Sequence, residues 1–265
     1  MPGFSAIGRI GMLHTVVIDH EETFWPRFLG QVGTERFGFF SSADLGVAGQ
    51  ITLPSKWGEI YGTVTNGPGY TSFETDRFKD YALRASLTPL SQSSGLLKTF
   101  TISPWGYLGQ LGSAFALGGP GQVGPVRDGL DRNRWGLFAG LRDPRLTVGA
   151  DYAQRIDQTE SGQNTPVSPR AVTKTTGELI DAFALVRPLQ FSNPKAKPSV
   201  GAVLRWDRFK PDKDVSANNQ FYILGAFWEP TPKTTLALDY QLQTPESGST
   251  TPRQATWFLH WQAIF

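Results

Sequence analysis

The sequence has 265 residues, of which 18% are charged, and it contains 18 Phe, 8 Trp, 7 Tyr and no Cys. So many large apolar rings exclude a disordered chain, and the lack of Cys excludes disulfide scaffolds, thiolate metal sites and cysteine nucleophiles. A formal net charge of +2 is too small to indicate a nucleic-acid partner, and the longest apolar run, 221–228, is too short for a membrane helix.

Alternation of apolar and polar residues with a period of two recurs along the chain, in segments separated by Gly, Pro, Ser, Asn and Asp. This alternation predicts β-strands, and helical periodicity is almost absent. We therefore expect an all-β chain that forms a single domain over residues 1–265. The twelve predicted strands are, in chain order, 5–17, 43–53, 58–66, 79–88, 98–108, 133–142, 145–155, 178–188, 198–209, 220–229, 234–243 and 254–265.

The connections between these strands alternate between short turns and long loops. Short turns with Pro or Ser follow the even-numbered strands, as at 53–57 and 229–233. Longer polar or Gly-rich loops follow the odd-numbered strands, as at 18–42, 109–132 and 156–177. Bacterial outer-membrane barrels have short turns at one rim, longer external loops at the other and an even number of strands. The alternation therefore favours an antiparallel up-and-down barrel whose long loops are external.

The two faces of the predicted strands differ in charge. In each of eight strands, four to six consecutive positions of one row lack charge, for example Tyr81, Leu83, Ala85 and Leu87 in the strand 79–88. The opposite rows mix charges with Gly, Thr, Ser and Gln, a set that a dry core does not tolerate because unpaired buried charges are costly. We assign the uncharged rows to lipid and the charged rows to a water-filled lumen. The predicted pore-lining residues are Arg84, Arg134, Arg142, Asp151, Arg155, Asp181, Arg187, Arg205, Asp207, Asp239 and His260.

Aromatic residues of the uncharged rows fall at two depths when odd-numbered strands rise and even-numbered strands descend. Two aromatic belts are typical of proteins whose rings meet lipid headgroups at both membrane surfaces. The sequence thus predicts a transmembrane antiparallel β-barrel of about 12 strands in a bacterial outer membrane. The outer belt comprises Tyr81, Trp135, Tyr152, Trp206, Tyr240 and Trp257, and the inner belt comprises Trp57, Trp228 and Phe265.

The last eleven residues, ATWFLHWQAIF, resemble the final strand of Gram-negative outer-membrane proteins, which alternates hydrophobic residues and ends on Phe. The resemblance implies that the outer-membrane assembly machinery recognises this strand. The residues that match the pattern are Trp257, Leu259, Trp261 and Phe265.

Residues 8–19, 36–46, 58–67 and 80–89 together resemble porins of the phosphate-selective type. In those porins, similar segments follow further strands and a signal peptide. The first residues of this chain have neither the basic segment nor the long apolar stretch of such a signal. Two strand numbers therefore remain open, twelve if Met1 is the true start and sixteen if the start is missing.

Motifs for cofactors and metals are weak. His14, His20 and His260 are too far apart in sequence to match a metal-ligand spacing, so we expect no metal site and no cofactor. Residues 119–124, GPGQVG, fit the dinucleotide pattern G-x-G-x-x-G but lie in a Pro-rich loop without the strand and helix that the motif needs. Asp212, Asp214 and Asn218 match no EF-hand spacing, so we expect a solvated loop there.

The loop 109–132 has an apolar first half and a charged second half. An apolar loop is unfavourable in water. Two arrangements are therefore open: the loop folds into the lumen and places Arg127 or Asp128 at a constriction, or it packs on the rim or against another subunit.

We expect a porin-like channel for passive diffusion of small hydrophilic solutes rather than an enzyme. Six arginines against four aspartates in the predicted lining favour weak anion preference. The expected partners are outer-membrane lipid, small hydrophilic solutes, the assembly machinery and further copies of the chain. Three alternatives remain: a barrel enzyme of the lipase or protease type that uses His260 with Asp239, a structural or interaction barrel of the cell envelope, and a soluble all-β binding protein.

Overall fold

The computed structural model describes residues 3–74, 76–196, 199–215, 218–245 and 252–264. Strands dominate these ranges and belong to one antiparallel sheet of 13 strands. Alternating β-branched and aromatic residues favour this extended backbone. The strands are β1 (Ser5–His14), β2 (Ala43–Thr52), β3 (Gly58–Thr65), β4 (Asp80–Leu87), β5 (Thr101–Leu108), β6 (Gln110–Leu111), β7 (Leu130–Arg142), β8 (Leu146–Ser161), β9 (Ala171–Val186), β10 (Ser199–Lys210), β11 (Asn219–Thr231), β12 (Thr234–Thr244) and β13 (Gln254–Ala263).

Neighbours in the sheet are neighbours in sequence. The one exception is the two-residue β6, which pairs only with β7, so that β5 also pairs with β7. The predicted all-β, antiparallel, up-and-down order is confirmed. The sheet does not close into a barrel in this structure, because within the described residues β1 pairs only with β2 and β13 only with β12. The sheet is therefore open, with one free edge on each of these two strands.

The boundaries of the twelve predicted strands agree with the structure to within three residues, except around β8 and β9. These two strands pair from Leu146 and Val186 to Ser161 and Ala171, so most of the predicted loop 156–177 is a long hairpin. The β-branched residues of 171–176 continue the alternation that favours strand. Gly162, with φ at +83°, supplies the left-handed residue at the hairpin turn.

One face of the sheet is covered by residues 15–42, here called the inner segment, and the other is exposed. The inner segment contains α1 (Ile18–Glu21), a 3₁₀ helix (Arg27–Leu29) and α2 (Gly33–Arg36). The predictions of a strand to residue 17 and of an external loop over 18–42 are both wrong. Val16, Val17 and Ile18 are already buried in the core, because their apolar side chains pack against the inner face of the sheet. The remaining helices are 3₁₀ helices Pro54–Lys56 and Leu96–Thr99 and α3 (Leu189–Ser192).

Burial alternates along the strands as the row analysis predicts. In β10, Gly201, Val203, Arg205 and Asp207 are buried on the inner face, while Leu204 on the outer face is half exposed. Within the described part of the chain, no helix is long and apolar enough to cross a membrane.

Replacing Gly201 with alanine is expected to lower the free energy of unfolding by about 1–3 kcal/mol, because the core has no room for a methyl group there. A Cβ at Gly201 would lie 2.2 Å from the Phe227 ring and 2.6 Å from the Val186 carbonyl oxygen. Gly106→Ala is the matched control, since a Cβ at Gly106 meets no atom within 4 Å. Urea unfolding measures both, and equal midpoints for the two variants would contradict the prediction.

Candidate functional site

The inner segment is fixed to the sheet by pairs of aromatic rings spread over several strands. Each pair joins one ring of the segment to one ring of the inner face, at centroid distances typical of edge and stacked contacts. The segment therefore lies along the inner face instead of extending outward. The pairs are Phe24–Phe138 at 5.0 Å, Trp25–Phe183 at 5.2 Å, Phe37–Phe209 at 4.9 Å and Phe40–Trp105 at 5.4 Å.

Five of the six arginines predicted to line a pore donate hydrogen bonds to backbone carbonyls of the inner segment. Such bonds satisfy carbonyls that no sheet or helix partner reaches. These arginines thus attach the inner segment to the sheet, which we also call the wall. The bonds run from Arg84 to Val16, from Arg134 to Phe39 at 3.0 Å, from Arg142 to Thr23 at 2.8 Å, from Arg155 to Phe37 at 2.9 Å and from Arg205 to Gln31 at 2.6 Å.

The sequence analysis placed eleven charged or polar residues on one face, and the structure places them on the inner face. Their surroundings differ from an open, wet lumen, because the inner segment covers most of them. Buried are Arg84, Arg134, Asp151, Asp181, Arg205, Asp207 and Asp239; half-buried are Arg155, Arg187 and His260; exposed is Arg142.

Several of these arginines also form ion pairs with carboxylates. Three partners, Glu59, Asp157 and Glu229, share the phase of the inward rows but are not among the predicted pore-lining residues. Asp157 lies beyond its predicted strand end, Glu59 lies in a strand whose rows were not assigned, and Glu229 is the last residue of its predicted strand. Their charges remove the arginine excess on which the anion preference rested. The pairs are Arg84–Glu59, Arg134–Asp157 at 2.6 Å, Arg187–Glu229 at 3.0 Å and Arg205–Asp207 at 2.7 Å.

Three aspartates lie side by side on neighbouring strands. Asp151 of β8 is the direct cross-strand partner of Asp181 of β9, which in turn pairs with Asp207 of β10. Their side chains point to the inner face, where Glu21 of the inner segment meets them; all four residues are at most 4% exposed. We call Glu21, Asp151, Asp181 and Asp207 the acidic cluster.

Within the acidic cluster only Asp207 has a close cation. Both its oxygens accept hydrogen bonds from Arg205, at 2.7 Å each. Glu21 accepts one hydrogen bond from Thr34 at 3.1 Å, and its second carboxylate oxygen has no hydrogen-bond partner. One carboxylate oxygen of Asp181 also has no partner. Burial, followed by the charges of Asp151 and Asp181, raises the pKa of Glu21 well above its ordinary value. Sequence rows alone did not identify Glu21, since it lies outside every strand.

His20 of the inner segment reaches two serines of the sheet. Its Nε2 lies 2.8 Å from the Ser103 hydroxyl, and Ser103 donates to Ser86 at 3.1 Å. Burial, followed by the positive charge of Arg84, lowers the pKa of His20 to about 3. A histidine of that pKa is a weak base, and Ser103 is fully buried, so the arrangement suits an anchor better than a nucleophile.

We expect stability to fall in acid because of His20. Its folded pKa lies below the unfolded value near 6.5, so between about pH 6.5 and about pH 3 only the unfolded chain binds the proton, which costs up to about 1.4 kcal/mol per pH unit. Urea unfolding of the parent chain and of His20→Gln at neutral and acidic pH isolates this contribution. A difference between the two that does not change with pH would refute it.

His260, the base of the enzyme alternative, pairs with Asp239 at 2.7 Å. Its ring also contacts Phe28 of the inner segment and Phe258 of β13, at 6.1 Å and 5.7 Å between centroids. In the described part of the chain no hydroxyl group is hydrogen-bonded to this ring, so the pair has no adjacent nucleophile. Here too a side-chain pair of the sheet contacts the inner segment.

The loop 109–132 rests on neighbouring loops at the rim. Ser113 donates to Glu160 at 2.8 Å, and Arg77 donates to the Arg127 carbonyl at 2.8 Å. Arg127 and Asp128 are exposed. Of the two arrangements left open by the sequence, the structure has the rim arrangement, because hydrogen bonds with the β8–β9 hairpin hold the loop there. The segment that covers the inner face of the sheet is residues 15–42 instead.

The remaining predicted site residues are those of the last strand and the loop aspartates. Trp257, Leu259 and Trp261 are exposed on the outer face of β13, whereas Phe265 lies outside the described residues. Asp214 donates its backbone N–H to Asp212 in a surface loop, and no group of three or more potential metal ligands occurs among the residues that the structure describes.

A cavity of about 130 Å³ remains between the inner segment and the sheet. Polar and aromatic groups line it, including Thr63, Tyr107, Arg132 and Arg134. Arg132 donates to Asp80 at 2.8 Å and to Tyr107 at 2.9 Å, which fixes the side chain at the cavity wall.

Comparison with known proteins does not place the chain in a family. No protein-family model matches the sequence, and no curated protein sequence matches it either.

Proposed function

We propose that this chain forms a transmembrane β-barrel of a bacterial outer membrane whose interior is a narrow path for passive diffusion of small hydrophilic solutes. The observation that carries the proposal is the outer face, where large apolar side chains stay exposed on many strands, such as Leu83 of β4, Leu137 of β7, Leu204 of β10 and Leu224 of β11. An uncharged apolar surface of this extent is unfavourable in water and is typical of a sheet embedded in lipid.

Rings at two depths support the membrane position. Near one rim, Trp135 contacts Tyr152 at 5.6 Å and Tyr240 contacts Trp257 at 5.2 Å. Near the other rim, Trp228 and Trp261 both stand beside Leu236, and Trp57 is exposed in a turn. Amphipathic rings in such belts meet the headgroup regions of a bilayer.

A sheet in lipid has to satisfy its edge groups, because no water reaches free N–H and C=O groups there. The path through the sheet has twelve strands without β6, and every neighbouring pair is antiparallel. β1 and β13 therefore run in opposite directions and can pair. We propose that they close a twelve-stranded barrel in the membrane.

Disulfide cross-linking tests this closure cleanly, because the chain has no Cys. Leu259→Cys on β13 is combined in turn with Gly8→Cys, Ile10→Cys and Met12→Cys on β1, and the protein is oxidised in outer-membrane vesicles. Cross-links within one chain are expected. Cross-links only between chains would indicate closure by a second copy, and no cross-link would indicate further strands between β1 and β13, as in a sixteen-stranded barrel.

Transport is tested by conductance of the refolded protein in a planar bilayer. We expect small, stable conductance steps, because the inner segment leaves a narrow space. Two arginines of the inward strand rows, Arg9 and Arg142, have no carboxylate partner among the described residues, so we expect any anion preference to depend on them. Reversal potentials under a salt gradient should thus favour anions weakly in the parent and less in Arg142→Gln. A lack of conductance in correctly inserted protein would refute the channel.

A second candidate is a non-conducting envelope barrel that serves as an anchor or interaction module. The observation in its favour is the tight packing of the inner segment, whose Trp25 and Leu29 are each 1% exposed. Lipid insertion without conductance at any voltage would support this candidate over the channel.

A further inference from the structure

The acidic cluster holds more negative charge than its surroundings neutralise. The charged groups that face it are Arg205 of β10 and Arg36 of α2. Arg205 is committed to Asp207, and Arg36 stacks on the Phe221 ring at 3.5 Å and donates to Gln243 at 2.9 Å. Glu21, Asp151 and Asp181 are therefore three buried carboxyl groups without a cation of their own.

Three such groups cannot all be ionised in a dry site. Direct cross-strand partners have Cβ atoms only about 4.5–5.5 Å apart, and like charges at this spacing repel strongly when buried. The indole N–H of Trp105 faces Asp151, but the indole carries no net positive charge. Protons are the simplest source of the missing positive charge.

The cluster also joins two separate parts of the fold. Glu21 belongs to the inner segment, whereas Asp151, Asp181 and Asp207 belong to the wall. Gly33 of the segment packs so closely on Asp181 that a Cβ would lie 2.1 Å from its Oδ2. Repulsion between Glu21 and the wall aspartates therefore acts directly on the contact between segment and wall.

We propose that these carboxyl groups hold protons at neutral pH and form a latch, which releases the inner segment from the wall when they ionise in alkaline solution. As regulation of the lumen, the latch rests on the proposed channel function. Its sign follows from linkage: the attached state binds more protons than the released state, so rising pH favours release.

Thiol accessibility measures release directly in the full chain. Val17→Cys places a single thiol in the inner segment at a position that is 1% exposed, and Val167→Cys supplies a reference at 93% exposure. Both react with a water-soluble maleimide between about pH 6 and about pH 10, the range in which buried acids titrate. The ratio of the two rates cancels the ionisation of the thiol itself.

We expect the ratio to rise by up to about tenfold per pH unit until release is complete, since release is coupled to loss of at least one proton. Asp181→Asn and Glu21→Gln should each keep the ratio low throughout, because the neutral amides cannot ionise. Asp239→Asn removes a buried inner-face aspartate outside the cluster and should retain the response of the parent. Far-ultraviolet circular dichroism verifies that each variant is folded.

A ratio that stays flat in the folded parent, or an unchanged rise in both cluster variants, overturns the latch. Conductance of the same proteins separates this result from the proposed function. Conductance with a flat ratio would reject the latch alone, whereas pH-dependent accessibility without conductance would reject the channel alone.

Discussion

Replacing Trp25 with alanine is expected to lower the free energy of unfolding by about 3–5 kcal/mol, the usual cost of truncating a buried tryptophan. Trp25 is 1% exposed, and its indole N–H donates to the Gly30 carbonyl at 2.8 Å. The ring packs on Phe183 at 5.2 Å and lies under the Arg205 guanidinium at 4.8 Å. Its loss removes one of the ring contacts that fix the inner segment to the sheet, together with the ring on which the Arg205 guanidinium stacks.

Urea unfolding in detergent micelles measures this effect, with Trp57→Ala as the matched control. Trp57 is 49% exposed in a turn, so its truncation should cost far less. If the proposed channel is correct, Trp25→Ala should also conduct more than the parent, because the segment is less firmly attached. Equal unfolding midpoints for the two variants would mean that the inner segment does not contribute to stability.

Replacing Arg205 with methionine is expected to cost about 3–5 kcal/mol, because the change leaves a buried aspartate without its counter-ion. The side chains of Arg205 and Asp207 are 1% and 0% exposed, and the guanidinium also holds the Gln31 carbonyl. Without it, all four members of the acidic cluster lack a paired cation. The loss should therefore be greater at alkaline pH than at neutral pH.

Two comparisons test this interpretation by urea unfolding. Lys79→Met breaks an exposed pair with Glu74 and should cost at most about 1 kcal/mol. Arg205→Met combined with Asp207→Asn should recover part of the stability, because the stranded charge is removed. A double variant no more stable than Arg205→Met would show that packing of the arginine, rather than its charge, dominates.

The strands and the two faces of the sheet could be predicted from the sequence, because the alternation of residues within one strand indicates which face each side chain occupies. Leu204, Arg205 and Trp206 alternate between the two faces, and period two assigns each of them without knowledge of any partner. The same logic placed Arg84 and Arg134 correctly on the inner face. It could not predict what covers that face, because covering depends on contacts between residues far apart in the chain.

The inner segment shows this limit. Val16, Phe24 and Trp25 follow neither a strand period nor a long helical period, and the helices here are only three or four residues long. Length and polar residues therefore favoured an external loop. The apolar residues of 15–42 were a usable signal, comparable to the one that drew attention to 109–132, but no local rule decides between a rim and an interior position.

Charge pairing shows a second limit. Glu59 and Glu229 lie on strands that the sequence located, yet their pairing with Arg84 and Arg187 depends on how neighbouring strands align. A count of charges along the rows treated the arginines as free. The lining of a lumen is thus predicted from sequence only as a set of residue types, and its net field follows from register.

The inner segment also constrains the order of folding. It enters the chain between the first two strands, yet Arg36 bonds to Gln243 and the Leu29 carbonyl accepts from Gln241, contacts that span 207 and 212 residues. Strand pairing itself is almost entirely local, so hairpins can be added one after another at low loop-closure cost. The segment gains its last contacts only when the final strands arrive, which makes completion of the sheet and burial of its interior a single late event.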